Sequence, residues 1–322
     1  MNALVSVIIP CHNQAHFLHK AIESVLRQTW ERVEIIVIDD GSTDHTAEIA
    51  ARYPSVRYVY QTNQERCAAR NHGVSVCQGE YLLFLDADDL LTPDAIASCM
   101  ACYAQNPGSG FVYGRYELIT ADGSPMLLPP RRELDYVNYR AFLQHNCVGM
   151  LGAVVFRRDI YEAVGGFDRD LYACEDYELF LRIARAYPVT RHDGLCASYR
   201  QHEMNTTRDA TRMLITAIGV LRRQEPFVTG SIELETALQK GNVFLRHMYG
   251  NRMIAEVERD ISSLKTLKHG LAGLGRLLRY YPDGLLAGAM RRSTRLLGGV
   301  LTPRPTPRSD SPSFPAAKPS AR

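Results

Sequence analysis

Glu34-Ile35-Ile36-Val37-Ile38-Asp39-Asp40-Gly41-Ser42-Thr43-Asp44 and Tyr81-Leu82-Leu83-Phe84-Leu85-Asp86-Ala87-Asp88-Asp89 follow one pattern: a continuous apolar run that ends in carboxylates. Continuous rather than alternating apolarity predicts strands buried on both faces, as in a parallel sheet. Two more runs of this kind lie at 5–9, closed by Pro10, and at 56–60. Between the four runs, helices are predicted near 15–29, 43–52 and 65–77. In the first, Phe17, Leu18, Ala21, Ile22, Val25 and Leu26 make one apolar stripe. Thr92-Pro93-Asp94 predicts a helix start, with Thr92 as N-cap and Pro93 in the first helical position. Residues 111–113 are a candidate fifth strand. Repeated β-then-α units imply an α/β fold with a mostly parallel, Rossmann-like sheet flanked by helices. Ligands in such sheets bind beyond the carboxyl ends of the strands, which is where these carboxylates stand.

Past residue 115 the alternation lapses. A strand is predicted at 150–156, a helix at 175–187 and a strand at 195–199. A mostly helical, Arg-rich extension follows at 209–301. Residues 302–322 are dominated by Pro, Ser, Ala and Arg and read as a disordered tail.

The 322 residues are 46% hydrophobic and 22% charged, which excludes wholesale disorder and fibrous classes. The net charge of +2 hides a split. Residues 1–240 carry 23 basic and 30 acidic side chains, and residues 241–322 carry 14 and 5. No apolar run is long enough for a spanning helix, and the start has no basic leader region. Both point to a cytoplasmic protein. In a reducing compartment the eight cysteines read as small buried hydrophobes. Cys99-Met-Ala-Cys102 is the only CxxC, and a zinc site would want a second pair.

Carboxylates clustered at neighbouring strand ends cost free energy unless a cation compensates. A divalent metal such as Mg²⁺ or Mn²⁺, bridging to a diphosphate, suits these oxygens. The alternative for either cluster alone is turn chemistry, which Asp, Gly and Ser also favour. Dinucleotide and P-loop enzymes are disfavoured. Pro10-Cys11-His12-Asn13-Gln14 stands where a Gly-rich fingerprint would be, and no G-x-x-x-x-G-K-[ST] occurs.

Several segments resemble glycosyltransferase family 2. They are Val5 to Asn13, Ala21 to Thr29, Glu34 to Asp44, Ala69-Arg70-Asn71-His72-Gly73, Gly79 to Asp89, Gly165-Gly166-Phe167-Asp168, Glu175 to Leu179 and Tyr199-Arg200-Gln201-His202. The resemblance covers roughly residues 4–205. It implies a GT-A fold and a metal-dependent transfer, with inversion, from a nucleotide-diphospho-sugar to a hydroxyl acceptor. The donor is read as UDP-linked, and the setting as cell-surface polysaccharide or glycolipid synthesis. The alternatives are a sugar nucleotidyltransferase and a catalytically inactive glycan-binding relative.

By this resemblance, Pro10, His12, Asn13 and Asp40 hold the nucleoside, with Asp40 on the base. Arg66 or Arg70 approaches the base or diphosphate, although Arg70 reads equally well as a helix-surface residue. Asp86-Ala87-Asp88 matches the DxD signature. Asp88 is the leading metal ligand, while Asp86 and Asp89 contact the ribose, the metal's water shell or the donor sugar. Glu175-Asp176 matches the acid pair, with Asp176 as general base. His202 is either a metal ligand or a structural histidine. Acceptor recognition is assigned to 115–175, which includes Gly149-Met150-Leu151-Gly152. The division is a catalytic domain over 1–208, with nucleotide-sugar binding at 1–114 and the acceptor side at 115–208. For the basic segment 264–301 two readings stand: contact with an anionic membrane surface, or a hairpin packed on the catalytic domain. Glycines there weaken any long helix. No recognised module supports a nucleic-acid partner.

Overall fold

A computed structural model of the chain describes residues 3–127, 137–203, 205–262 and 266–285. Four parallel strands come first: β1 (Val5–Cys11), β2 (Val33–Asp40), β3 (Val56–Gln61) and β4 (Tyr81–Phe84), in spatial order β3-β2-β1-β4. Helices α1 (Ala15–Leu26), α2 (Thr46–Ala50) and α3 (Glu65–Val76) connect them. Side chains alternate across this sheet. Val7, Ile9 and Val37 pack in one layer with Leu18 and Ile22 of α1, while Ile8, Ile36 and Ile38 pack in the other with Ala69 and Val74 of α3. Two filled faces explain why the apolar runs are continuous.

Next come β5 (Leu90–Leu91), α4 (Ala95–Gln105), β6 (Phe111–Thr120), β7 (Pro125–Met126) and α5 (Tyr139–Gln144). A 3₁₀ turn (Leu151–Ala153) leads into β8 (Val154–Arg157), then α6 (Arg158–Ala163), α7 (Glu175–Ala186) and β9 (Val189–Gln201). The sheet continues as β4-β8-β6-β9-β5. Strand β8 runs antiparallel to both neighbours, β9 is parallel to β6, and β5 is antiparallel to β9. The parallel strands therefore fill one half of the sheet, and the other half is mixed.

Two strands are much longer than their sequence suggests. The candidate at 111–113 is the start of the ten-residue β6, and that at 195–199 lies within the thirteen-residue β9. Asp193-Gly194, before the predicted strand, lies in an irregularity of β9, which continues past it. Thr92 does not cap α4. The helix begins at Ala95 after Asp94, and Thr92 instead donates from Oγ1 to Leu195 O (2.6 Å) and from its amide to Cys196 O (2.9 Å). The pairing of β5 with β9 claims the residue first.

The C-terminal part forms α8 (Ala210–Arg222), α9 (Glu225–Val228), α10 (Ile232–Ile261) and α11 (Leu267–Tyr280). Leu214, Leu221, Leu245 and Leu277 belong to the same apolar core as Phe142, Phe180 and Ile8. Gly270 and Gly273 of α11 are buried against Ile261 and Val257 of α10, where any Cβ would crowd those side chains. Glycines expected to weaken this helix thus set its close approach to α10. In the described part of the segment 264–301, α11 packs on α10 and α8 of the extension, while Leu271 and Leu278 stay exposed. Residues 286–301 of the basic segment and the tail 302–322 lie outside the described residues. Among the described residues no helix is long and apolar enough to cross a membrane.

Candidate active site

All the residues singled out above for nucleotide, metal or catalysis line one cavity of about 840 Å³ at the carboxyl ends of β1, β2 and β4. Among the described residues, three non-glycine residues have left-handed backbones, Asn13, Glu65 and Cys174, and all three line it as well. Such conformations persist only where their surroundings over-determine them, and they concentrate at functional sites.

The loop after β1 is held by the acidic turn after β2. Asn13 N donates to Ser42 Oγ (2.9 Å), Asn13 Oδ1 accepts from Thr43 N (2.8 Å), and His12 Nδ1 bonds Asp40 O (2.8 Å). Asp39 and Asp40 differ in role. Asp39 accepts from Ser42 N and Tyr58 OH, which closes the turn. Asp40 is buried at the cavity wall, where Oδ1 accepts from Gln61 Nε2 (2.7 Å) and Gln64 N (2.8 Å). His16 is exposed at the mouth, next to Phe17.

Arg70 is not on the helix surface. It is 2% exposed, donating to Asp86 Oδ1 (2.6 Å) and to Glu175 Oε1 (2.7 Å). One guanidinium therefore joins the end of β4 to the start of α7. Burial opposes ionisation of Asp86, but the Arg70 guanidinium outweighs it and holds this carboxyl below the usual range. Arg66 lies 3.9 Å from Glu175 Oε1 and 5.6 Å from the Tyr172 ring centre. Cys174, with φ of 57°, turns the chain into α7 so that Glu175 and Asp176 open the helix at the cavity. Burial first, and the neighbouring Glu175 second, push the Asp176 carboxyl up to about 6. Of the acid pair, Glu175 is engaged by arginine, and Asp176 is the one near the pKa that a general base needs.

Asp88 and His202 meet across the chain, with Nε2 2.7 Å from Oδ2. Gln14 Nε2 lies 3.4 Å from the same oxygen. Asp89 faces elsewhere, its Oδ1 accepting from Arg200 N (2.8 Å). Burial first, then the charges of Asp88 and Asp86, push the Asp89 carboxyl well up. The cavity end of β4 is thus a place where added negative charge is costly and a cation is welcome. A carboxylate oxygen and an imidazole nitrogen side by side could hold Mn²⁺ or Mg²⁺.

Arg200 escaped sequence reasoning. It is 1% exposed, and its Nε donates to Asp88 O (2.7 Å), so it fixes the loop carrying the carboxylates. Its place beside the matched histidine in Tyr-Arg-Gln-His was the available signal. The part of the cavity wall that comes from α8 and α10 was missed too. Gly149, Met150 and Leu151 line the cavity where expected, but Met213, Phe244, Met248 and Tyr249 of α8 and α10 also do. The cavity lining therefore extends beyond 115–175 into the helical extension.

A family model described as Glycosyl transferase family 2 matches residues 6–165. An uncharacterized glycosyltransferase of Rickettsia typhi, RT0329, is 32% identical over 221 residues, or 66% of this chain and 68% of that protein. A chondroitin synthase of Escherichia coli is 28% identical over 211 residues, covering 63% of this chain and 30% of the synthase. Among solved structures, Staphylococcus aureus TarS 1–349 in complex with UDP superposes with a TM-score of 0.62 at 18% identity, over 88% of this chain and 82% of that one.

Proposed function

The chain belongs to glycosyl transferase family 2 and has the GT-A fold, and on that premise we propose that it moves a sugar, with inversion, from a UDP-linked donor to a hydroxyl of a glycan or lipid-linked acceptor. The observation that carries this reading is the Arg70 bridge, which sets the Asp86–Asp88 carboxylates and the Asp176 carboxylate around one cavity. The TarS structure contains UDP, and a chondroitin synthase builds a glycan, which supports a nucleotide donor and a saccharide acceptor here.

Pro10, His12, Asn13 and Asp40 bind the nucleoside, with Arg66 near the diphosphate. Asp88 and His202 would hold Mn²⁺ or Mg²⁺, which would supply positive charge to the departing diphosphate. Asp176 removes the proton from the acceptor hydroxyl as its oxygen attacks the anomeric carbon. The bond from that carbon to the diphosphate oxygen breaks, its electron pair staying with the diphosphate, and the configuration inverts. Glu175 positions Arg70 and raises the Asp176 pKa. Phe244, Met248 and Tyr249 offer the acceptor an aromatic and apolar wall. The setting is synthesis of a cell-surface glycan or glycolipid, with the enzyme in the cytoplasm and its basic C-terminal region at the inner membrane face.

The test is hydrolysis of a panel of nucleotide-sugars by the full chain, with and without chelator. UDP release that stops on chelation and returns with Mn²⁺ is expected. Chelator-insensitive turnover overturns the metal role. Pyrophosphate consumption with release of sugar 1-phosphate would favour a nucleotidyltransferase.

A further inference from the structure

Away from the cavity, Cys99 of α4 and His192 and Cys196 of β9 converge. Cys99 Sγ lies 3.3 Å from His192 Nε2, Cys196 Sγ 3.6 Å from the same nitrogen, and the two sulfurs 4.0 Å from each other. Both cysteines are 1% exposed, and His192 is partly buried. Among the described residues this is the one group of three His, Cys, Asp or Glu side chains with ligand atoms within 4.8 Å of one another.

The convergence is built by a backbone irregularity. In a regular strand, residues four apart are separated by about 13 Å. Here β9 takes four steps, from Arg191 to Leu195, while β6 takes two, from Tyr113 to Arg115. The extra residues fold out and bring His192 and Cys196 to one point. Opposite them Gly114 leaves the room. A Cβ there would overlap the Cys196 sulfur and crowd His192 Cε1 at 2.8 Å.

We propose that Cys99, His192 and Cys196 bind one thiophilic divalent ion of the Zn²⁺ class, with water in the fourth position, and that this ion pins α4 to the irregular part of β9. Tetrahedral zinc has Zn–S bonds near 2.3 Å and Zn–N bonds near 2.0–2.1 Å, so its edges are about 3.8 Å between sulfurs and about 3.6 Å from sulfur to nitrogen. The observed triangle matches those edges closely. Two soft sulfurs exclude Mg²⁺ and disfavour Mn²⁺, so this ion differs from the one expected at Asp88. Loading releases one proton from each thiol. The imidazole proton moves from Nε2 to Nδ1, and Gly194 N–H, now 3.1 Å from Nδ1, must let go of it. Cys102 lies on the same helix, but its sulfur faces Asn106 Nδ2 at 3.9 Å, so it serves as the internal control.

Co²⁺ added to the metal-free full chain should give a thiolate-to-cobalt charge-transfer band at one equivalent. The band should be lost in Cys99→Ser and Cys196→Ser and kept in Cys102→Ser and Asp88→Asn. Because the serine variants of buried residues can misfold, the second measurement uses the unmodified chain. Zn²⁺ should protect Cys99 and Cys196 from alkylation, read by mass spectrometry, and leave Cys102 unprotected. It should also raise the thermal midpoint. No band in the unmodified chain, a band that survives Cys99→Ser, unchanged alkylation, or a Cys99–Cys196 disulfide in the protein as purified would each overturn the proposal.

Discussion

His202 Nε2 lies 2.7 Å from Asp88 Oδ2, across 114 residues of sequence. Strand β9 makes the meeting, because Arg200, two residues before the histidine, is anchored to Asp88 O and Asp89 Oδ1. If the pair holds the metal, Asp88→Asn and His202→Ala should each raise the Mn²⁺ concentration for half-maximal donor hydrolysis by at least about tenfold, since even groups behind direct ligands have effects of that size. A Mn²⁺ titration of each variant reads this directly. An unchanged titration for His202→Ala leaves the histidine a structural role only.

Asp176→Asn should move activity and stability in opposite directions. Removing a general base costs about 10²–10⁴ in rate, while nucleotide binding should survive. The folded Asp176 carboxyl titrates near 6, above its ordinary 3.8. A raised carboxyl pKa means that folding disfavours the ionised form. That penalty is absent below the unfolded value and complete above the folded one. The variant should therefore be more stable than the parent at pH 8, by on the order of 1–3 kcal/mol, and the difference should vanish near pH 4. Urea unfolding at the two pH values measures it, and a variant no more stable at pH 8 contradicts the burial argument.

The same carboxyl sets a pH profile. A base that must be ionised gives a kcat/KM that falls as pH drops through about 6. Glu175 contributes to the upward shift, second to burial. Glu175→Gln should move this limb to lower pH, and Asp176→Asn should abolish it. An unmoved limb in Glu175→Gln leaves burial alone as the cause of the shift, and a limb that persists in the residual activity of Asp176→Asn assigns the titration to another group.

The parallel half of the fold was legible because β1, β2 and β4 are apolar on both faces and their runs are short and bounded by turn-forming residues. The mixed half was not. Strand β9 contains Arg191, His192, Asp193 and Gly194, residues that read as loop, and only pairing with β6 makes them a strand. The candidate site was legible as a set, since the acidic strand ends and the motif matches fall around one cavity. Its internal wiring was not. Arg70 reads as an ordinary residue of a polar helix, and its burial between Asp86 and Glu175 exists only after α3 packs against α7's first turn. The wall from α8 and α10 was hidden for a different reason. The region reads as basic and helical, and only the fold brings Phe244 and Met248, both exposed, and Tyr249 to the cavity wall.

Arg70 should be the residue whose loss destabilises the site most. It is buried, it satisfies two carboxylates, and its Nε has no hydrogen-bond partner among the described residues. Its positive charge, more than its full set of hydrogen bonds, is therefore what the neighbourhood uses. Arg70→Met leaves Asp86 and Glu175 with Arg66, 3.9 Å from Glu175 Oε1, as the nearest remaining cation. Removing one member of a buried ion pair costs about 3–5 kcal/mol. Arg70→Lys keeps the charge but loses the fork that reaches both carboxylates at once, so an intermediate loss is expected. Adding Glu175→Gln to Arg70→Met removes one stranded charge and should recover part of the stability, although the single Glu175→Gln change is itself destabilising. That sign reversal is the signature of charge coupling in a double-mutant cycle. Chemical denaturation of the four proteins measures it, and additive effects would mean that Arg70 acts by packing against Phe167, 5.1 Å away, instead of by charge.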